Sequence, residues 1–200
     1  MGSQWIDVQA DARYPALHCP VLAAFGRGIS EGLPEVDRQQ LSRVFRSLIA
    51  ADSSHEMELN RAEFLARGAC SELLPVMLDM LPGDRCRSLA ADLRARSDIP
   101  LEKLATLVRD ARESTAAAAN AMAAYAAYAG GAPLAIAYAA WAAEYANSGT
   151  YPSAAAEASA ATYLYASRYL FRARSRSAAS AIEAINGIAL SIFERAISIA

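Results

Sequence analysis

Apolar side chains recur along this chain at three- and four-residue steps in almost every segment. No stretch alternates in the two-residue rhythm of a half-buried strand, so the pattern predicts helices throughout. Val21, Leu22, Phe25 and Ile29 form a first stripe that stops near Gly32 and Pro34. Asp37 followed by Gln40 reads as a capping pair for a second helix, whose apolar face is Leu41, Val44, Phe45, Leu48 and Ile49. Ser53 with Glu56 repeats that signature and opens a longer helix through Leu59, Ala62, Ala66, Ala69, Leu73 and Met77. Pro75 is expected to kink or divide it, because an interior proline removes a hydrogen bond and crowds the preceding turn. Pro82-Gly83 makes a turn before Cys86, Leu89, Ala90 and Leu93. Asp98 and Pro100 then begin a helix carrying Leu101, Leu104, Val108 and Ala111.

That helix runs on into AAAANAMAAYAAYAGGAPLAIAYAAWAAEYA, Ala116 to Ala146, where no charge appears before Glu144. Its length would cross a bilayer. Insertion, however, depends on Leu, Ile, Val and Phe, and the uncharged run holds only Leu134 and Ile136 of these, while Gly130-Gly131-Ala132-Pro133 interrupts it. Disorder is opposed by the helix propensity of alanine and by the tyrosines. Helix is therefore expected, with Met122, Tyr125 and Tyr128 on one side of the first piece and Tyr138, Trp141 and Tyr145 on one side of the next. Alanine lines the remaining faces, which lets helix backbones approach closely. The expected arrangement is a hairpin turning at Gly130-Gly131, followed by a third helix from Thr150 or Ser153. In the last helix, from about Ser177 to Ile199, Ile185, Ile192 and Ile199 stand seven apart with Ile182, Ala189 and Ala196 between them. Such a seam needs a cover, either from its own domain or from a second subunit.

The expectation for fold is therefore all-α: a bundle of about seven or eight helices in one domain, with residues 1–98 as an N-terminal helical part and 99–200 as a tightly packed Ala/Tyr-rich part. Composition narrows the partners. The 19 basic and 21 acidic residues leave a formal charge of −2, which gives no global attraction to nucleic acid or anionic membranes. All the basic residues are arginine except Lys103, a skew that fits a GC-rich coding sequence. Cys19, Cys70 and Cys86 are odd in number, and MGSQWIDVQADARYPALH lacks the basic start and apolar core of a signal peptide. Reduced thiols and a cytoplasmic location are expected, without a membrane span; Ile6 stands where a myristoylation motif needs Ser or Thr.

No catalytic or metal constellation emerges, and no cofactor is expected. His55-Glu56 begins HEMELN, where Leu59 replaces the second histidine of a zinc-binding helix, and Glu56, Glu58 and Glu63 read as a solvated face. The cysteines form no CxxC pair to complete a zinc site with His18. In FGRGISEG, Glu31 stands where a dinucleotide fingerprint needs glycine. The local charge feature to keep is YASRYLFRARSRS, with Arg168, Arg172, Arg174 and Arg176 and no acid among them. Arg168, Arg172 and Arg176 at four-residue steps make a guanidinium stripe beside Tyr165 and Tyr169. Two readings stand: a site for phosphates or an acidic partner surface with aromatic stacking, or a solvated helix end whose cations complement the dipole.

CPVLAAFGRGISEGLPEVDRQQL, SSHEMELNRAEFLARGACSELLPVMLDM and AADLRARSDI, followed by the slide into AAAANAMAAYAAYA, together resemble a group of alanine-rich hypothetical proteins of actinobacteria, other GC-rich bacteria and their phages. The likeness covers residues 19–129 and implies a small helical accessory protein of a phage or mobile element, with no activity carried over. A fainter likeness to alanine-rich immunity proteins concerns only the composition of the second half. Three functions remain. The first is a non-enzymatic interaction or assembly protein acting on itself or another protein, antagonism of a host defence complex being one version. Another is nucleic-acid binding through the arginine stripe. The third is a ligand-binding or catalytic bundle with Tyr and Trp lining a pocket.

Overall fold

The segment PSAAAEASAATYLYASRYLFRA has small or apolar residues on nearly all sides, so a helix built from it can accept neighbours around most of its circumference. It becomes the centre of the fold. The computed structural model describes residues 19–47, 53–110, 131–173 and 175–199. The described helices are α1 (Pro20–Ser30), α2 (Glu35–Ser47), α3 (His55–Gly68), α4 (Leu74–Leu78), α5 (Asp84–Ala95), α6 (101–110), α7 (Gly131–Ser148), α8 (Pro152–Ala173) and α9 (Arg176–Ile197). The architecture is an all-α multi-helix bundle, with no strand among the described residues. The central helix α8 packs against α1, α3, α7 and α9, and one buried apolar cluster runs from Cys19 to Ala196. No helix among the described residues is long and apolar enough to cross a membrane.

Small residues set how closely these helices meet. A methyl built on Gly28 of α1 would lie 2.5 Å from Ala160 Cβ of α8, and one on Gly131 of α7 would lie 3.1 Å from the Tyr165 carbonyl oxygen. The glycines of FGRGISEG therefore serve packing: Gly26 lies against the Phe45 ring, Gly28 against Ala160 and Gly32 against Tyr163. At the other extreme of size, Phe193 of α9 stacks on Phe25 of α1 at 6.2 Å and meets Phe45 of α2 at a 40° tilt and 5.1 Å between centroids. Most buried polar groups on α8 are satisfied locally or by α9, Ser167 Oγ being without a hydrogen-bond partner. Ser159 and Thr162 hydroxyls donate to the carbonyls of Ala155 and Ala158, and Tyr163 Oη donates to Asn186 Oδ1 at 2.8 Å.

Several local expectations are corrected. Asp37 does not cap α2, which starts earlier at Glu35 after Pro34; the Arg38 amide already bonds to the Pro34 carbonyl, so Asp37 and Gln40 lie inside the helix. Ser54, not Ser53, caps α3 by accepting from the Met57 amide at 3.2 Å. The helix that Pro75 was expected to kink or divide is divided into α3 and α4 without leaving the helical path. The chain widens into a π-turn over Ala69–Leu73, where the Leu74 amide reaches back to the Ala69 carbonyl, and so makes room for the proline ring before continuing as α4. The expected turn at Gly130-Gly131, together with Ala111, Met122, Tyr125, Tyr128, Leu48 and Ile49, lies at or beyond the edge of the described residues; α7 starts at Gly131. The return between α7 and α8 is made by Ser148 to Tyr151, with Gly149 at φ 64°, and the helix expected from Thr150 or Ser153 starts at Pro152.

All three thiols are free and buried. Cys70 Sγ donates to the Ala139 carbonyl at 3.2 Å, and burial pushes its pKa up to about 12 against the opposing pull of Arg67. Only about one Cys70 in ten thousand is then a thiolate at pH 8, so an aromatic disulfide reagent should leave it unlabelled in the native protein and label it after denaturation. Because the folded thiol holds its proton to a higher pH than the unfolded one, this group favours unfolding as pH rises above 9.0 towards 12. Rapid native labelling of Cys70 at pH 8 would contradict its burial.

Candidate interaction surface

Leu134, Tyr138, Trp141 and Tyr145 follow one another on α7 at steps of four, three and four residues, so they share one side of the helix. The alanines take the other side: Ala135, Ala139, Ala142 and Ala143 are buried against the bundle. A helix whose small face is turned inward must present its large face outward. Leu134, Trp141 and Tyr145 are accordingly 40%, 43% and 39% exposed, while Tyr138 is half-buried.

The rings are not independent. Tyr165 of α8 stacks on Tyr138 with centroids 5.3 Å apart and planes 7° from parallel, and Trp141 meets Tyr138 edge-on at 5.1 Å and 89°. Arg168, one turn along α8, holds its guanidinium carbon 5.8 Å from the Tyr165 ring centre, where the ring quadrupole attracts a cation. The result is a continuous row, Arg168, Tyr165, Tyr138, Trp141, bridging two helices and flanked by Leu134 and Tyr145. Burial, with the adjacent Tyr165 phenol, pushes the Tyr138 hydroxyl above its ordinary pKa, so it remains a neutral group across the physiological range. On the α6 side the row is edged by an ion pair between Arg109 and Glu144.

The arginine stripe is divided. Arg168 and Arg172 are exposed near the end of α8, but the helix stops at Ala173, and Arg176 opens α9. Ser175 caps that new helix by accepting from the Ala178 amide at 3.0 Å, which breaks the four-residue register that an unbroken helix would have kept. Arg174 lies outside the described residues. Tyr169, expected beside the stripe, is buried with its Cβ against Gly131. The isoleucine seam is covered by the chain itself: Ile185 and Ile192 are fully buried, and Ile182 and Ile199 partly so. Among the described residues no group of His, Cys, Asp and Glu is arranged to hold a metal ion. Sequence spacing singled out Tyr138, Trp141 and Tyr145 on one helix and Tyr165 and Arg168 on another; it carried no signal that the two sets join. Compared with known proteins, the chain matches no family model, no curated sequence and no solved structure.

Proposed function

We propose that this protein is a non-enzymatic helical interaction module whose contact surface is the row from Arg168 through Tyr165, Tyr138 and Trp141, extended by Leu134 and Tyr145. The observation that carries the reading is the exposure of Trp141 and Tyr145 beside rings already fixed by packing. Rigid, half-desolvated aromatics lose little entropy on binding and make strong anchors. Charge defines the partner. Between Glu157 and Glu183 the sequence holds four arginines and no acid, so the fitting partner is a protein face with apolar side chains rimmed by carboxylates. A photo-crosslinking residue at Tyr145 should capture such a partner in cells, whereas the same residue at Val36, exposed on α2, should not. Trp141→Ala is expected to weaken binding of the captured partner roughly thirtyfold, the effect of truncating an aromatic hot spot. Equal capture from both positions, or unchanged affinity of the alanine variant, removes the reading. Light scattering separates self-association from binding of a different protein.

A second reading, single-stranded nucleic acid stacked on the same row, draws on the guanidinium held over Tyr165. Phosphate contacts make affinity fall steeply with salt, so gel-shift titrations at two salt concentrations test it. No shift at low salt disposes of it.

A further inference from the structure

Large apolar side chains exposed among the described residues are gathered in one place: Leu134, Trp141, Tyr145, Tyr151 and Phe171 belong to α7, α8 or the turn between them, and Val36 alone lies elsewhere. The stacked Tyr138 and Tyr165 make the outer sides of α7 and α8 one face. Charge divides that face along its length. Glu157 and Arg168 of α8 are separated by about three helical turns, so both project from the same side of the helix. Both are exposed. Glu157 stands at the end near the turn, as does Glu144 of α7, which is paired with Arg109. Arg168, with its guanidinium over the Tyr165 ring, stands at the opposite end beside the exposed Phe171.

The centre of the face is set by the register of the two helices. Tyr138 beside Tyr165 and Gly131 against Tyr169 show α7 and α8 running antiparallel. Three residues from Tyr138 towards the turn is Trp141, and three from Tyr165 towards the turn is Thr162, which is midway between Glu157 and Arg168. Trp141 is therefore close to level with that midpoint, and the two charges lie roughly 8 Å to either side of it along the axis. Ala161 and Leu164, half-buried between the charges, leave a low apolar floor beside it. An aromatic centre with opposite charges at equal distances is complementary to itself after a half-turn. The Arg168 end of one copy then meets the Glu157 end of the other at both sides of the axis, and each Trp141 meets the other copy's floor. Parallel pairing would set like charge on like.

We infer that this face joins two copies of the chain in a symmetric antiparallel dimer, which rests on the reading of the row as a contact surface and names its occupant. Sedimentation equilibrium of the full chain from about 1 µM to about 500 µM should show a reversible monomer–dimer equilibrium. Arg168→Glu sets acid against acid at both ends of the dimer, and Glu157→Arg sets base against base. Each should weaken dimerisation about tenfold. Both side chains are exposed, so the variants should melt with the parent. Mixed at equal concentration, the two variants should recover the dimer, because the mixed pair again has opposite charges at both ends. A monomer at every concentration, a dimer that neither variant weakens, or one that mixing does not restore would overturn the inference. A monomer whose crosslinker at Tyr145 still captures a different protein removes the second copy as occupant and leaves the contact surface standing; a monomer that captures nothing there removes both.

Discussion

Replacing Phe193 with alanine is expected to remove roughly 3–5 kcal/mol of folding free energy and to lower the melting temperature by roughly 10 °C. Its ring is fully buried and packs with Phe25 on α1 and Phe45 on α2, so a single side chain ties the last helix to the first two, at the other end of the chain. Truncation loses the transfer free energy of the ring and leaves a cavity between two rings whose backbones are held by other contacts. The variant should show a lower urea midpoint with an unchanged slope, because the surface exposed on unfolding is nearly the same. A loss below about 1 kcal/mol would mean that the three rings do not form the packed centre described here.

The second large effect is a reversal of sign for one substitution at two positions. Gly→Ala in a helix ordinarily stabilises by about 1 kcal/mol, since alanine has the better helix propensity. Gly187→Ala should do so, because its new methyl enters open space. Gly28→Ala should instead destabilise by about 1–3 kcal/mol. Its methyl would sit 2.5 Å from Ala160 Cβ, and neither atom has a rotatable bond with which to move aside. Adding Ala160→Gly to Gly28→Ala should restore part of the loss, giving a positive coupling in a double-mutant cycle by thermal unfolding. If Gly28→Ala were as stable as the parent, α1 and α8 would not be in the close contact that the bundle is built on.

These two cases separate what the sequence announces from what it conceals. The stripe Val21, Leu22, Phe25, Ile29 is legible because helical periodicity sorts residues by solvent exposure without reference to a partner, and all four are buried. Nothing in the sequence distinguishes Gly28 from Gly187, since each is a glycine in a helical pattern and only the neighbour across the interface differs. Helix ends were legible only to within a residue or two. Ser53 and Ser54 are chemically equivalent caps, and the choice between them belongs to the path of the chain into α3. Pro75 marked a local conflict correctly, but its resolution as a π-turn depended on the surrounding packing of a helix that is buried on both sides of the proline, at Leu73, Leu74, Met77 and Leu78.

The candidate surfaces follow the same division. Spacing placed Tyr138, Trp141 and Tyr145 together because they share a helix, and the inward turn of the alanines then fixed them outward. The arginine stripe failed as a stripe because the periodic argument assumed that one helix continued through Ala173, whereas Ser175 caps a new one. The cleft between α2 and α9, lined by Asp37, Glu183 and Glu194 among others, was invisible to any local reading, since Asp37 and Glu183 are far apart in the chain.

By itself, then, the sequence determined the helical state, the inward faces of most helices, and the use of methyl-sized side chains for helix contact, because each of these depends on periodicity and propensity over a few turns. Tertiary structure decided which helix lies at the centre, which glycines are closed by a neighbour, and how Tyr165 comes to stack on Tyr138. The reason is physical: contacts between residues distant in the chain are set by how whole helix faces fit, and that fit is a property of pairs of surfaces which no single segment encodes.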